Sequence, residues 1–228
     1  MKTGLTEIIV LLDRSGSMAT IAKDTVGGFN SFVDGQKKEP GECRLSLTQF
    51  SSVGVEVVHE NLPIGQVPPL TLHPMGGTPL LDAICETIDR AGERLAKTPE
   101  DERPEHVLFV IITDGEENQS QKFKLEDVRT RIKVQTEQWK WQFSYLGANV
   151  DAFDEAGKLG ISADASSGYA PNAVCTRNAY ESLGSSVNRA RSGQKLGYTI
   201  GERAANMGGT TPAATPPAPA APSSAPTP

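Results

Sequence analysis

The stretch IIVLLDRSGS, residues 8–17, joins five consecutive apolar residues to a short polar turn. An uninterrupted apolar run of this length predicts a strand buried on both faces, here over residues 6–12. The turn presents the Asp13 carboxylate and the Ser15 and Ser17 hydroxyls at alternate positions. Small divalent cations prefer such oxygen ligands, and open α/β sheets usually bind ligands at the carboxyl ends of their strands. The stretch therefore predicts both a sheet and a cation site at its edge.

One further strand is expected to bring an oxygen ligand to the same edge, and a helix begins between the two strands. A second apolar run, residues 107–112, leads to Thr113-Asp114-Gly115 and predicts another buried strand with a carboxylate at its end. Thr78-Pro79 precedes an amphipathic helix that runs to residue 97; Thr is a favoured N-cap and Pro suits the first helical position. Asp114 thus joins the turn after the first strand as a candidate ligand, and Thr78 lies at the start of the helix between them.

The order of elements along the chain predicts an α/β fold. Strands that alternate with helices indicate a Rossmann-like three-layer sandwich, with a mostly parallel central sheet and helices on both faces. A short break at Ser51-Ser52 predicts a hairpin, which would supply one antiparallel edge strand. Besides the segments above, we predict strands over 43–50, 53–59 and 141–146, and helices over 19–37, 125–135, 151–159 and 172–191.

Composition divides the chain into one domain and a tail. Residues 1–203 carry the alternating pattern and suit a single domain. Residues 204–228 form an Ala/Pro/Thr-rich segment, with seven prolines among the last twenty residues and no charge from Gly208 onward. Such a segment cannot bury a core, so we predict a disordered tail.

The charge and the cysteines argue against several classes of function. The net charge is −6 and neither Lys nor Arg forms a block, so we expect no nucleic-acid or membrane partner. The three cysteines are far apart, which disfavours a disulfide framework and a thiolate zinc site. We find no secretory leader pattern and no stretch of about 18 apolar residues, and we therefore expect a cytoplasmic protein.

The pattern DxSxS at residues 13–17, followed by Gly-Gly-Thr ending at Thr78 and Thr-Asp-Gly containing Asp114, resembles the metal-ion-dependent adhesion site (MIDAS) of von Willebrand factor type A (VWA) domains. The resemblance covers roughly residues 4–200 and includes the order of the elements. It implies that Ser15, Ser17 and Thr78 touch the metal directly or through water, and that Asp13 and Asp114 hold it, often through bound waters. It also implies that the loop before Thr78 can move.

Simple coordination chemistry agrees with this resemblance. Mg²⁺ takes six oxygens and keeps several waters, so two carboxylates and three hydroxyls would leave its shell open. An acidic group of a protein partner can then complete the shell. We therefore expect a divalent-metal-dependent adaptor module that uses Mg²⁺ or Mn²⁺; the family's microbial members also suggest a multiprotein or AAA-type ATPase assembly.

Several alternatives stay open at this point. Ser15, Ser17 and Thr78 could each merely cap a helix, and Asp114 could be a turn residue. Glu116, Glu117 and Asn118 could attract the cation, but we expect them to be solvated. Arg14 could lie at the surface, pair with a nearby acid or meet an acidic partner, and Asn149 is a weaker candidate for the same edge. The metal could also be purely structural, within an interaction scaffold.

An enzymatic role is not expected. Phosphatases with an aspartyl nucleophile resemble DxDx, but the second carboxylate position is Ser15 here, which serves poorly as an acid or base. A serine hydrolase would need GxSxG, which is absent around Ser15. A metal-dependent phosphoester hydrolase remains the weaker alternative, because such sites normally contain more carboxylates or a second metal.

Overall fold

The computed structural model describes residues 1–148 and 151–209. Within them, strands and helices alternate as the sequence predicts. The strands are β1 (Lys2–Asp13), β2 (Glu42–Ser51), β3 (Gly54–Pro63), β4 (Pro104–Thr113), β5 (Gln142–Ala148) and β6 (Ser166–Tyr169). The helices are α1 (Ala22–Gln36), α2 (Leu80–Lys97), α3 (Leu125–Trp139), α4 (Ala152–Leu159), α5 (Ala173–Arg191) and α6 (Ile200–Asn206).

The strands form one sheet in the order β3-β2-β1-β4-β5-β6. All neighbours run parallel except β2 and β3, which pair as an antiparallel hairpin at one edge. The predicted mixed sheet with one antiparallel edge strand is therefore confirmed. The register pairs Leu12 with Ile112, so the next residues, Asp13 and Thr113, emerge side by side at the carboxyl ends of the two central strands.

The first strand is buried on both faces because its side chains alternate between two apolar layers. Ile8, Val10 and Leu12 belong to a cluster that includes residues of α1 and α5. Ile9 and Leu11 belong to a second cluster formed with α2, α3 and α4. Helices thus cover both faces of the sheet, which confirms the predicted three-layer sandwich.

One strand and one α-helix of the described residues were not predicted. The four residues of β6 contain no apolar run, and the segment is a strand because it pairs with β5. Helix α6 comes after α5, and its Arg203 side chain donates to the carbonyl oxygens of Ala163 and Ser166, which protects the β6 edge of the sheet. The helix extends to Asn206, past the predicted domain boundary at residue 203.

The predicted tail beyond residue 209 and Asn149 lie outside the described residues. Among the helices of the described ranges, none combines the length and the apolar character needed to cross a membrane.

Candidate metal centre

Asp13 lies at the end of the central strand β1 and is fully buried, with 0% of its surface exposed. One carboxylate oxygen, Oδ1, accepts a hydrogen bond from the backbone N–H of Ser15 at 2.6 Å. The other, Oδ2, accepts one from the hydroxyl of Thr113 at 2.7 Å. The side chain is thus held in a single orientation by the turn that follows it and by the neighbouring strand β4.

The two serines of the turn connect Asp13 to the end of β4. The Ser15 and Ser17 hydroxyl oxygens are 3.0 Å apart, and the Ser17 hydroxyl donates to Asp114 Oδ1 at 2.7 Å. Ser15 and Asp114 are buried, whereas Ser17 is exposed. Residues nearly one hundred positions apart therefore share one hydrogen-bonded cluster that opens to solvent beside Ser17.

Thr78 reaches the same cluster from a third segment of the chain. A Cβ placed on Gly115 would lie 3.4 Å from the Thr78 hydroxyl oxygen and 3.7 Å from the Ser17 hydroxyl oxygen. Glycine at position 115 therefore leaves the space between these hydroxyls open, and Thr78 is itself only 2% exposed. All five residues that the sequence singles out converge at one edge of the sheet.

Capping does not account for the Ser15 and Thr78 hydroxyls. Ser15 precedes the short 3-10 helix Gly16–Thr20 without a side-chain cap hydrogen bond. Helix α2 begins at Leu80 with Pro79 as its N-cap, so the prediction that Thr78 caps this helix with Pro79 at its first position was wrong. The physical reason is that another loop supplies the acceptor, since Glu117 Oε2 accepts from the Leu81 N–H at 2.9 Å.

Burial places an electrostatic penalty on the two carboxylates. It raises the pKa of Asp13 from 3.8 to about 6, and the nearby Asp114 charge adds to the effect, although hydrogen bonds from Thr113 and Ser15 oppose it. Burial also raises the pKa of Asp114, opposed by the Ser17 hydrogen bond. Two buried carboxylates that are costly to ionise are the environment in which a cation gives the largest relief.

The donor set fits a small hard cation, because all of its side-chain ligands would be oxygens. Within residues 1–148 and 151–209, no three His, Cys, Asp or Glu side chains form a potential metal-binding group. The candidate centre has two carboxylates and would depend on its three hydroxyls and on solvent for the remaining positions.

The neighbouring residues behave differently from one another. Arg14 forms an ion pair with Glu56 of β3, with 2.7 Å between Nη1 and Oε2, which is one of the roles expected for it. Glu116 is exposed, as predicted. Asn118 is exposed as well, as predicted, although its Oδ1 accepts from the Thr78 N–H. The expectation of a solvated side chain was wrong for Glu117, which is half-buried and accepts from the Leu81 N–H at the start of α2.

Sequence reasoning missed Thr113, which orients Asp13 through the 2.7 Å hydrogen bond and also accepts from the Gly115 N–H at 3.2 Å. The signal was present in the motif Thr-Asp-Gly. It becomes meaningful only with the strand register, which places Thr113 beside Asp13.

No family model matches the chain, and no curated protein matches it. Solved structures do resemble it. The von Willebrand factor type A protein from Catenulispora acidiphila aligns over 79% of this chain and 42% of its own, with a TM-score of 0.54 and 15% identity. Proximal thread matrix protein 1 from the mussel byssus, with a zinc-occupied MIDAS motif, aligns over 82% and 45%, with a TM-score of 0.51 and 15% identity.

A third similar structure is the manganese-loaded TRAP protein of Plasmodium vivax, which aligns over 75% of this chain and 71% of its own, with a TM-score of 0.52 and 13% identity. The chain spans less than half of the length of the first two structures. At these identities the comparison concerns the fold, and the chain has a VWA-like α/β fold.

Proposed function

We propose that this chain is a divalent-metal-dependent protein-binding module. Asp13, Ser15, Ser17, Thr78 and Asp114 would hold Mg²⁺ or Mn²⁺, and an acidic side chain of a protein partner would complete the coordination shell. The observation that carries the proposal is the convergence of these five oxygen-bearing side chains, from three distant segments, at one edge of the sheet.

The contacts support a cation with an incomplete shell. The cluster opens to solvent at Ser17, so a partner can approach it from that side. The buried Asp13 carboxylate needs a positive charge to be ionised at low cost, and a divalent cation at the cluster would supply one. Two carboxylates balance the formal charge of a divalent ion, and hydroxyl ligands add no further negative charge. The ion therefore retains affinity for a third carboxylate.

The similar structures are compatible with this proposal. Mussel proximal thread matrix protein 1 carries zinc in a MIDAS motif, and the Plasmodium TRAP structure is loaded with manganese. We extend metal binding to this chain because its own side chains bring five oxygens to one edge of the sheet.

The experiment compares partner capture by the immobilised chain in Mg²⁺ and in chelator. A protein retained only with Mg²⁺ is then purified and titrated against wild type and against the S15A/S17A double variant. We expect the double variant to lose binding, whereas E116Q, which removes an exposed charge nearby, retains it. Substitution of the partner's Asp and Glu residues in turn identifies the acidic group.

Two results would redirect the assignment. Partner capture that survives metal removal and the S15A/S17A substitution would make the metal structural, within an interaction scaffold. Turnover of a phosphomonoester that is lost in D13N would indicate a metal-dependent hydrolase, against our proposal that the chain is not an enzyme. A cytoplasmic location and membership of a multiprotein or AAA-type ATPase assembly belong to the same proposal and are tested by the identity of the captured protein.

A further inference from the structure

Two loops meet beside the candidate metal centre. We call residues 75–79, which lead into α2, the threonine loop, and residues 114–124, which join β4 to α3, the acidic loop. Asn118 of the acidic loop pairs with Thr78 through two hydrogen bonds. Its side-chain Oδ1 accepts from the Thr78 N–H at 2.9 Å, and its own N–H donates to the Thr78 carbonyl oxygen at 3.1 Å. The backbone of Thr78 is therefore held on both sides by one residue.

Glu117 fastens the same loop to the start of α2. Its Oε2 accepts from the Leu81 N–H at 2.9 Å and from the Ser120 hydroxyl at 2.6 Å. Its Oε1 accepts from the N–H groups of Gln119 at 2.8 Å and Ser120 at 2.7 Å. A helix N-terminus carries unpaired N–H groups and a partial positive charge, so a carboxylate is a strong ligand for it.

Helix α2 in turn contacts the acidic loop through Asp82, which lies in its first turn. The Asp82 carboxylate accepts from the N–H groups of Gln121 at 2.8 Å, Lys122 at 3.0 Å and Phe123 at 2.8 Å. The Asp82 N–H donates to the Ser120 hydroxyl oxygen at 3.1 Å. Each of the two segments therefore satisfies the backbone groups of the other, and neither can shift without breaking several hydrogen bonds at once.

We infer that Glu117 and Asn118 are positioning residues of the metal centre, which fix the threonine loop to the acidic loop so that the Thr78 hydroxyl and the Asp114 carboxylate are held together before the cation binds. The inference rests on the proposed function, because it concerns the same site. Neither side chain is itself a ligand in this scheme. Their effect is to remove the conformational cost of gathering the ligands, which raises the affinity for the cation.

This arrangement has a consequence for movement at the site. The resemblance to VWA domains implies a loop that moves before Thr78. In this chain the hydrogen bonds of Asn118 hold Thr78 itself, so any movement of the threonine loop that carries Thr78 must carry the acidic loop as well. The ligands Thr78 and Asp114 then move as one unit.

The test is a Mn²⁺ titration of purified full-length variants by calorimetry at 25 °C, with the melting temperature of each variant recorded in chelator. N118A removes the acceptor for Thr78 without changing the charge. E117Q removes the charge of Glu117 and one of its two acceptor oxygens, each of which accepts from two donors. The matched control E116Q removes the same charge from the adjacent exposed residue. N118D keeps an acceptor at the position of Asn118 Oδ1 and is the conservative rescue.

We expect N118A and E117Q to weaken Mn²⁺ binding by about five- to tenfold, the equivalent of one hydrogen bond lost from the supporting structure. E116Q should bind within about twofold of wild type, and N118D should bind at least as tightly as wild type, because its added negative charge attracts the cation. Because Asn118 is exposed and Glu117 is half-buried, we expect both variants to fold. If E117Q does not, S120A removes the hydroxyl partner of Glu117 and tests the same contact.

Three outcomes would overturn the inference. The first is Mn²⁺ affinities of N118A and E117Q that equal that of wild type. The second is a loss of Mn²⁺ affinity in E116Q as large as in E117Q, which would indicate an effect of charge alone. The third is lower melting temperatures of N118A and E117Q in chelator with unchanged Mn²⁺ affinity, which would indicate a structural role alone. If wild type itself does not bind Mn²⁺, the proposed metal-dependent function fails and the positioning role fails with it. The two failures are therefore distinguished by the wild-type titration.

Discussion

Replacing Asp13 by Asn should make the metal-free protein more stable at neutral pH, although it removes the response to divalent cations. Asp13 is fully buried, and burial raises the pKa of its carboxyl from 3.8 to about 6. Asn has nearly the same shape, and its Oδ1 can still accept from the Ser15 N–H. Its amide can donate to the Thr113 hydroxyl, whose proton can turn to the Gly115 carbonyl oxygen, 3.1 Å away.

The size of the effect follows from the difference in pKa between the two states of the chain. A carboxyl with a pKa of about 6 when folded and 3.8 when unfolded lowers the free energy of unfolding by about 3 kcal/mol once it is fully ionised. Because the pKa of Asp13 is raised in the folded state, this penalty is absent below pH 3.8. The free energy of unfolding falls by about 3 kcal/mol as the pH rises through about 6. For a domain of this size, about 3 kcal/mol corresponds to a change of roughly 6–12 °C in melting temperature.

The assay is thermal unfolding of wild type and D13N in chelator between pH 4 and 8, followed by the same scans with Mn²⁺. We expect D13N to melt higher than wild type at pH 7.5, with a difference that shrinks as the pH falls towards 4. Mn²⁺ should raise the melting temperature of wild type alone. A D13N variant that is less stable than wild type in chelator at pH 7.5, or that responds equally to Mn²⁺, would refute the reasoning.

Three further predictions follow. A hundredfold excess of Mg²⁺ or Mn²⁺ over its Kd should raise the free energy of unfolding of wild type by about 2.7 kcal/mol, and its melting temperature by roughly 5–11 °C. The melting temperature of the S15A/S17A variant should not change. Equal shifts in both proteins would argue against the site. Mn²⁺ affinity measured by calorimetry should fall by about tenfold or more per pH unit below pH 6, because protons compete for Asp13, and a flat profile would exclude this carboxylate as a ligand. In α1, G28A should destabilise the chain by about 1–3 kcal/mol in denaturant unfolding, since a Cβ at position 28 would lie 2.3 Å from the Tyr180 ring. G27A, whose Cβ would have nothing within 4 Å, should raise the free energy of unfolding by about 0.5–1 kcal/mol. Similar effects at both positions would contradict the packing.

The sequence predicted the central part of the fold and the candidate ligands because both depend on local patterns. Five apolar residues in a row define a strand covered on both faces, and Asp13 must then lie at its carboxyl end. The same argument places Asp114. Topological rules for parallel strands are enough to bring these two ends to one edge of the sheet, without knowledge of any side-chain contact.

The sequence could not predict the elements and contacts that exist only through pairing of distant segments. Strand β6 has no apolar run and is a strand because β5 offers it a ladder of hydrogen bonds. Helix α6 has seven residues and is stabilised by tertiary contacts, among them the bidentate pair between its Glu202 and Arg189 of α5. Helix propensity alone does not stabilise a segment this short.

The role of the acidic loop was likewise decided by tertiary structure. Glu117 and Asn118 read as solvated residues of a polar loop, because nothing local distinguishes them from Glu116. Their partners, Leu81 and Thr78, lie about forty positions away, and the contacts arise because β4 and α2 place the acidic loop against the start of the helix. The chain by itself thus determined which side chains are candidate ligands, since residue type and strand end are local properties. Only the folded chain decided what holds them in place, since hydrogen bonds between loops depend on where the sheet brings each loop.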